Sequence, residues 1–314
     1  MTQGETIRQA EHGQLPCLHI GYAKAASTTL QAHFFGGHPG LLNVGRPDPE
    51  PLVLESIRAA LAAADTAARG KVGFDDAKYR AVWQQQLARA ARSGKVVAFS
   101  HERLTNPSFY RGPSDTTLPE MLRAMIGPCR IIIMVRDQMR LLESYYLHKC
   151  KISAYRPPGQ WLAENSDELL PMLRYDALAR SYGSVFGADN VGVFLFEELR
   201  DDPAAFARRL CRFVGVDEEA GVALLQGKRE NVRRSSRLLW YAAIRSRILP
   251  QAHFSAMLPD AVTAWWKRFL QGGGKAEVRF AAEWTRKLET LYRDSNAALG
   301  AQHALPLERF GYCI

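Results

Sequence analysis

Hydrophobic and polar residues follow one another along this chain in blocks that predict strands, each followed by a helix. Short apolar runs typical of buried parallel strands span residues 15–20, 96–100, 130–135 and 190–196. Apolar residues at helical spacing occupy residues 28–35, 118–126, 139–150, 175–186 and 204–214. Strands that alternate with helices pair in parallel through right-handed crossovers. The pattern therefore predicts an α/β fold with a central parallel sheet flanked by helices.

Three regions depart from this alternation. Residues 51–93 carry apolar side chains at the spacing of two amphipathic helices, which predicts a helical insertion. Residues 36–51 are rich in Gly, Pro and Asn and predict a loop that lines a site. Residues 238–314 predict a helical C-terminal extension. Since no internal repeat or low-complexity block separates these parts, we expect residues 1–314 to form a single domain.

Composition narrows the class of protein. With 314 residues, 47% of them hydrophobic and 23% charged, the chain has the balance of a globular protein. No apolar run approaches the roughly 20 residues of a membrane span, and residues 2–14 lack the basic and apolar blocks of a signal peptide. We therefore expect a cytoplasmic protein. The five cysteines are scattered and never spaced as Cys-x-x-Cys, which favours buried thiols over disulfides or a zinc site.

The charge balance favours anionic partners. Lys and Arg number 41 against 32 Asp and Glu, a formal net charge of +9. One function class consistent with this charge is a non-catalytic protein that binds nucleic acid or another polyanion. The basic cluster at residues 228–237 has no aromatic residues interleaved with it, as base stacking would require. We therefore expect no nucleic-acid partner.

The segment from residue 15 to 35 is predicted as strand, loop and helix, and it concentrates donors for an anion. Lys24 supplies a point charge, and Ser27, Thr28 and Thr29 supply hydroxyl groups beside a helix N-terminus. A Walker A loop places its lysine immediately before the hydroxyl residue, whereas Lys24 precedes Ser27 by three. This spacing counts against the alternative of a P-loop kinase, whose signature would be a requirement for Mg²⁺.

A second candidate phosphate segment follows the apolar strand at residues 130–135. Arg136 stands at the strand end, where its planar fork suits a phosphate, and Ser144 lies two helical turns further on. The alternative for this pair is an ordinary ion pair of Arg136 and a solvated serine. A phosphate segment after each of two strands is more specific than either segment by itself.

Candidate chemistry also follows the strand at residues 96–100. Ligands of open α/β sheets sit beyond the carboxyl ends of strands, and His101 and Glu102 occupy that place. Either side chain could accept a proton from a reacting hydroxyl group. Because adjacent residues on a strand end point to opposite sides, we expect one of the two to face the site.

The two candidate phosphate segments carry a resemblance to a known family. The run Ala23-Lys-Ala-Ala-Ser-Thr-Thr29 resembles the 5′-phosphosulfate loop of sulfotransferases, which usually begins Pro-Lys; Ala23 replaces the proline. The run from Arg136 to Tyr146 resembles their 3′-phosphate segment. The Ala-Ser-Thr-Thr form is closer to carbohydrate-type and bacterial sulfotransferases than to the cytosolic type. The resemblance covers roughly residues 15–235 in motif order.

This resemblance implies a P-loop-like sulfotransferase fold and the donor 3′-phosphoadenosine 5′-phosphosulfate (PAPS), with adenosine 3′,5′-bisphosphate as product. It implies transfer without a metal ion, Lys24 beside the leaving group, and Glu102 as first and His101 as second candidate base. The acceptor would be a hydroxyl group of a sugar, a glycolipid or another alcohol. Because the protein is basic, this acceptor could carry a negative charge. The sequence identifies neither the acceptor nor the oligomeric state. The residues implied in donor binding are Lys24, Ala25, Ala26, Ser27, Thr28, Thr29, Arg136, Ser144 and, in a basic segment that is either a lid or a solvated face, Arg233 and Arg234.

Overall fold

The computed structural model of the protein describes residues 15–67, 74–105, 115–152, 155–227 and 278–314, with a few residues between 237 and 274. It contains a sheet of five parallel strands in the order β2-β3-β1-β4-β5. The predicted α/β fold with a central parallel sheet flanked by helices is confirmed. The strands are β1 Cys17–His19, β2 Leu41–Asn43, β3 Val96–Ser100, β4 Arg130–Val135 and β5 Val191–Leu195.

The central strands are apolar along their whole length because both faces of the sheet are covered. Every residue of β1 and β3 is buried, as is every residue of β4 after Arg130. Strand β1 lies between β3 and β4, with Leu18 in register with Phe99 on one side and Ile131 on the other. In parallel sheets such two-sided burial selects continuous apolar runs instead of alternation. The carboxyl ends of β3, β1 and β4 therefore lie side by side.

The helices follow the strands as the periodicity predicts. Within residues 51–93 the structure describes two helices, and their status as an insertion stays a prediction. The described helices are α1 Ser27–Thr29, α2 Pro51–Ala67, α3 Asp76–Arg92, α4 Thr117–Ile126, α5 Gln138–Ile152, α6 Pro158–Met172, α7 Tyr175–Phe186, α8 Phe196–Asp201, α9 Pro203–Val214, α10 Glu218–Leu225 and α11 Ala282–His303. Among the described residues, no helix is both long enough and apolar enough to cross a bilayer.

Local structure differs from the sequence prediction at three places. The segment at residues 36–51, predicted as a loop, contains the edge strand β2, which has three residues and pairs with β3. A strand this short carries too few residues to show a period. The strand predicted over residues 190–196 ends at Leu195, and the residues that follow it form helix α8. The helix predicted over residues 28–35 is α-helical only from Ser27 to Thr29 and continues as a π-helix over Leu30–Phe35.

The chain divides into two compact units, and the sheet belongs to the first. The first unit comprises residues 1–136, 168–229 and 292–314; the second comprises residues 137–167 and 230–291. Within the second unit the ring of Tyr146 packs on Trp161 at 5.5 Å between centroids, and its hydroxyl donates to the main-chain oxygen of Arg156 at 2.7 Å. The expectation of a single domain over residues 1–314 stays a prediction.

Candidate active site

The loop between β1 and α1 has an uncommon backbone. Lys24 and Ala26 are both left-handed, with φ angles of 71° and 65°. This region costs a residue with a side chain roughly 1–2 kcal/mol. Ala25, between them, donates its N–H to the main-chain oxygen of Tyr22 at 3.1 Å, which closes the turn. Turns of this kind point successive N–H groups toward one place and bind anions, and strain of this kind concentrates at functional sites.

The first turn of α1 adds further donors. No side chain caps this helix, so its first N–H groups lack both an intrahelical acceptor and a capping oxygen. The hydroxyl of Ser27 donates to the main-chain oxygen of Tyr22 at 3.2 Å and so stabilises the loop itself. Thr29 is buried, whereas Thr28 is exposed. Thr28 therefore presents the most accessible of the three predicted hydroxyl groups.

Aromatic side chains anchor the loop from below. The ring of Tyr22 packs on that of Tyr175 at 4.9 Å between centroids, and the hydroxyl of Tyr22 donates to the main-chain oxygen of Met172 at 2.5 Å. All three side chains are buried. Rigid packing of this kind holds the left-handed residues of the loop in place.

Arg136 joins this loop to the end of β4. Its Nη1 donates to the main-chain oxygen of Lys24 at 3.1 Å, and its guanidinium lies over the ring of Phe196, 4.5 Å from the centroid. The main-chain oxygen of Arg136 accepts a hydrogen bond from the hydroxyl of Tyr175 at 2.8 Å. The structure therefore brings together Lys24 and Arg136, the leading residues of the two predicted phosphate segments.

His101 and Glu102 follow β3, but not as residues of the strand. The strand ends at Ser100, and Glu102 begins a 3₁₀ helix, Glu102–Thr105. The expectation that the two side chains alternate as on a strand is therefore wrong, because the backbone turns at this point. The N–H of His101 donates to the main-chain oxygen of His19 at 3.0 Å, which fixes the turn to β1. Both side chains are half-buried.

The state of the His101 ring follows from its surroundings. Burial, together with the positive charges of Arg46, Arg103 and Arg58, lowers the pKa of His101 to about 4. The ring is therefore neutral near pH 7 and carries one hydrogen. Its Nδ1 accepts a hydrogen bond from the N–H of Arg103 at 3.2 Å, so that hydrogen resides on Nε2. In this tautomer His101 is a hydrogen-bond donor at Nε2.

A buried polar network lies beneath the site. His19 Nδ1 and Ser100 Oγ are 2.7 Å apart, and Gln31 donates from Nε2 to the same hydroxyl at 3.0 Å. The other ring nitrogen of His19, Nε2, is buried without a hydrogen-bond partner among the described residues. It lies where a side chain on Gly21 would begin, 2.4 Å from the position of an added Cβ. Gly21 is therefore required by the close packing of β1 against its own following loop.

A cavity of about 410 Å³ opens beside α1 and the end of β3. Its lining combines an apolar wall with cationic and polar side chains and has no acidic residue. It includes His101, but not Glu102. The lining residues are Thr28, Gln31, Ala32, Arg46, Pro47, Pro49, Leu54, Arg58 and His101.

Among the polar and charged lining residues, Arg46, Arg58 and Gln31 were not predicted from the sequence as site residues. The prediction that residues 36–51 line a site is in line with Arg46, but it singled out no side chain. Arg58 lies on the exposed side of an amphipathic helix, where a cation is ordinarily solvated. The sequence contains no signal for Arg58, since its place at the cavity depends on how α2 packs.

The remaining predicted residues are not placed at this site by the structure. Ser144 lies on α5, in the second unit, and its predicted role beside Arg136 stays a prediction. Arg233 and Arg234 lie outside the described residues. In the described part of the chain, no three His, Cys, Asp or Glu side chains are grouped so that they could hold a metal ion.

Comparison with solved structures finds similar sulfotransferases. A sulfotransferase from Alicyclobacillus acidocaldarius is similar over 95% of this chain and 98% of its own, with 18% identity and a TM-score of 0.55. Sulfotransferase domains of the Synechococcus PCC 7002 olefin synthase and of the curacin biosynthetic pathway align over 89% and 88% of this chain and 96% and 97% of theirs. Their identities are 15% and 14%, with TM-scores of 0.40 and 0.45. No curated protein matches the sequence significantly.

Comparison with protein families gives a more specific result. Residues 90–292, more than half of the chain, match the sulfotransferase domain family. The matched range includes β3 with His101 and Glu102, and β4 with Arg136, and it begins after the loop at Lys24. The family match covers the carboxyl ends of β3 and β4. The loop that follows the third central strand, β1, lies before the matched range. The chain therefore belongs to the sulfotransferase family.

Proposed function

We propose that the protein transfers the sulfuryl group of PAPS to a hydroxyl group of an acceptor by in-line displacement. One observation carries this proposal: Arg136 donates to the main-chain oxygen of Lys24 at 3.1 Å. The contact joins a segment suited to the 5′ end of a nucleotide with a segment suited to its 3′ end. PAPS carries a phosphosulfate at the first position and a phosphate at the second. Two anion-binding segments in contact fit a donor of this kind.

The residues around this contact suit the donor. The left-handed turn at Lys24 and Ala26 and the uncapped start of α1 direct N–H groups toward an anion. The guanidinium of Arg136 is held against Phe196, and its planar fork matches the oxygens of a phosphate. Thr28 adds an accessible hydroxyl group. That Ser144, Arg233 and Arg234 also contact the donor stays a prediction from the sequence.

The proposed transfer is a single displacement at sulfur. The acceptor oxygen forms a new S–O bond while the S–O bond to the 5′-phosphate breaks, and the electron pair of that bond stays on the phosphate oxygen. The products are the sulfated acceptor and adenosine 3′,5′-bisphosphate. The ammonium group of Lys24 and the N–H groups of residues 26–29 stabilise the charge that develops on the leaving oxygen. Because these groups meet that charge, the step as proposed uses no metal ion.

The acceptor proton requires a base, and the two candidates take different roles. In the tautomer fixed by Arg103, His101 carries its hydrogen on Nε2 and is poised to donate, not to accept. It would stabilise a sulfuryl oxygen or orient the acceptor hydroxyl group. Glu102 is then the proposed group that accepts the acceptor proton as the new S–O bond forms; because Glu102 does not line the cavity beside α1, the reacting hydroxyl group would lie at the mouth of that cavity.

Calorimetry with adenosine 3′,5′-bisphosphate tests the donor site. We expect Lys24→Ala and Arg136→Ala each to weaken binding by roughly tenfold or more, because a hydrogen bond to a charged group contributes about 1.5–3 kcal/mol. Arg136→Lys keeps the charge and loses the fork, so it should recover part of the affinity. Arg92→Ala, at the exposed end of α3, is the matched control and should bind normally.

Two results would overturn this proposal. One is the absence of binding heat with adenosine 3′,5′-bisphosphate, or equal affinity in the Lys24→Ala, Arg136→Ala and Arg92→Ala variants. The other is binding of ATP that depends on Mg²⁺ and exceeds the affinity for adenosine 3′,5′-bisphosphate, which would indicate a kinase-like enzyme.

A further inference from the structure

The strand order separates two ligand surfaces around the loop after β1. Arg136 follows β4, the neighbour of β1 on one side, and His101 follows β3, the neighbour on the other. A nucleotide held by Lys24 and Arg136 therefore lies toward β4. The cavity of about 410 Å³ lies toward β3 and reaches Arg46, which follows β2. Thr28, on the first turn of α1, borders this cavity, so the cavity adjoins the loop where the sulfuryl group would be held.

The charged side chains that line the cavity are cationic. Arg46 and Arg58 contribute two positive charges to its lining, and the lining has no carboxylate. Neither guanidinium has an ion-pair partner within the described ranges. By contrast, Arg80 on α3 pairs with Asp76, and Arg209 on α9 pairs with Glu198. The field of Arg46 and Arg58 reaches the cavity interior, since both charges contribute to the lowered pKa of His101.

The structure holds Arg46 at the rim of the cavity. The side chain of Asn43 accepts the N–H of Gly45 at 3.1 Å and donates to the main-chain oxygen of Arg46 at 2.9 Å. Gly45 packs so closely on β3 that an added Cβ would lie 2.7 Å from the main-chain nitrogen of Ser100. The backbone that carries Arg46 is thus fixed against the same strand that carries His101.

We infer that this cavity is the acceptor site and that the acceptor carries an anionic group, a carboxylate, phosphate or sulfate, bound by Arg46 and Arg58. The inference rests on the proposed sulfuryl transfer. Guanidinium groups bind such anions through paired hydrogen bonds. Pro47, Pro49 and Leu54 form an apolar wall suited to the non-polar face of a sugar ring. The cavity volume of about 410 Å³ is large enough for a single sugar that carries one such anionic group.

The experiment uses the protein saturated with adenosine 3′,5′-bisphosphate, so that the donor site is filled. Glucose 6-phosphate and glucose are then titrated by calorimetry, with inorganic phosphate as the simplest anion. We expect glucose 6-phosphate to bind and glucose to bind at least about tenfold more weakly, since a charged hydrogen bond contributes roughly 1.5–3 kcal/mol. Arg46→Gln and Arg58→Gln should each weaken glucose 6-phosphate by about tenfold on the same basis, and Arg92→Gln, which removes a charge far along α3, should not.

The outcomes separate this inference from the proposed function. Normal binding of adenosine 3′,5′-bisphosphate, combined with no binding of glucose 6-phosphate or phosphate, overturns the anionic acceptor site alone. Equal binding of glucose 6-phosphate to Arg46→Gln, Arg58→Gln and Arg92→Gln also overturns that site and leaves the proposed function standing. If adenosine 3′,5′-bisphosphate does not bind, the proposed function fails. In that case phosphate is titrated into the nucleotide-free Lys24→Ala and Arg58→Gln variants. Weaker binding to Arg58→Gln than to Lys24→Ala shows that the cavity binds anions, and equal binding overturns the anionic site as well.

Discussion

The backbone N–H of Arg103 donates to Nδ1 of His101 at 3.2 Å, and this single contact decides which ring nitrogen can face a substrate as a donor. Replacing His101 with Gln retains an N–H donor, whereas Ala removes it. We therefore expect His101→Ala to lower kcat/KM by about 100-fold and His101→Gln by about tenfold, because one such donor contributes roughly 10²–10³ in rate.

Glu102→Gln should lower the rate by about 10²–10⁴, the usual contribution of a general base.

Transfer of a radiolabelled sulfuryl group from PAPS to the best acceptor in a panel of sugars and alcohols measures these rates. A different assignment would follow if His101→Gln and His101→Ala lost equal activity and Glu102→Gln lost none. In that case His101 would take the role of the base.

The backbone of the loop predicts opposite effects for two adjacent alanines. Ala26 is left-handed, with a φ of 65°, and Gly adopts that conformation without steric cost. We expect Ala26→Gly to leave the free energy of unfolding unchanged or to raise it by up to about 1 kcal/mol, the relieved strain less the added chain entropy. Ala25 is not left-handed and is fully buried, so Ala25→Gly should cost about 1–2 kcal/mol.

Urea unfolding of the two variants and the parent protein measures this difference. Because the two neighbours lose the same methyl group, the sign of the difference between them reports the backbone strain. A larger loss of stability in Ala26→Gly than in Ala25→Gly would show that Ala26 is not strained in the folded protein.

The packing around Gly21 predicts a steric requirement at the end of β1. A Cβ at this position would lie 2.4 Å from Nε2 of His19 and 2.7 Å from Cβ of Met134, and both neighbours are fully buried. We expect Gly21→Ala to lower the free energy of unfolding by about 1–3 kcal/mol, the usual cost of overpacking. Thermal or urea unfolding measures the loss.

Gly159 is the matched control for this substitution. It is the second residue of α6, and an added Cβ there meets no atom within 4 Å. Gly159→Ala should therefore be neutral or stabilise the helix by up to about 1 kcal/mol. Equal stability of Gly21→Ala and the parent protein would mean that His19 and Met134 move aside more easily than their burial implies.

The sequence was informative where residues act through local pattern. The runs Val96–Ser100 and Arg130–Val135 are continuous and apolar, so their bounds could be read directly, and the residues that follow them mark the ends of neighbouring strands. The order of strand, loop and helix at residues 15–35, with Lys24 and Ser27 between strand and helix, predicts an anion-binding loop. Each of these features depends only on residues that lie close together in the sequence.

The features that the sequence did not predict depend on contacts between distant residues. Strand β2 has three residues and exists because it pairs with β3. The left-handed backbone of Lys24 has no compositional signature, since neither Lys24 nor Ala26 is a glycine. Arg58 resembles any solvated cation on an amphipathic helix until α2 is packed beside the end of β3. Tertiary packing, not local propensity, therefore determines the side of the site that lies toward β3.

The burial of His19 predicts how stability depends on pH. Burial lowers the pKa of His19 to about 3, whereas an unfolded histidine titrates near pH 6.5. Between about pH 3 and 6.5 the unfolded chain therefore binds a proton that the folded protein excludes, so stability falls as the pH falls through this window and is fully present above it. One such group contributes up to about 1.4 kcal/mol per pH unit.

Urea unfolding at pH 4.5, 5.5 and 6.5 should show this dependence of the free energy of unfolding on pH, and His19→Gln should reduce the slope by about that amount. If the slopes of His19→Gln and the parent protein were the same, His19 would take up its proton in the folded state as readily as in the unfolded chain, and the ring would have to reach water.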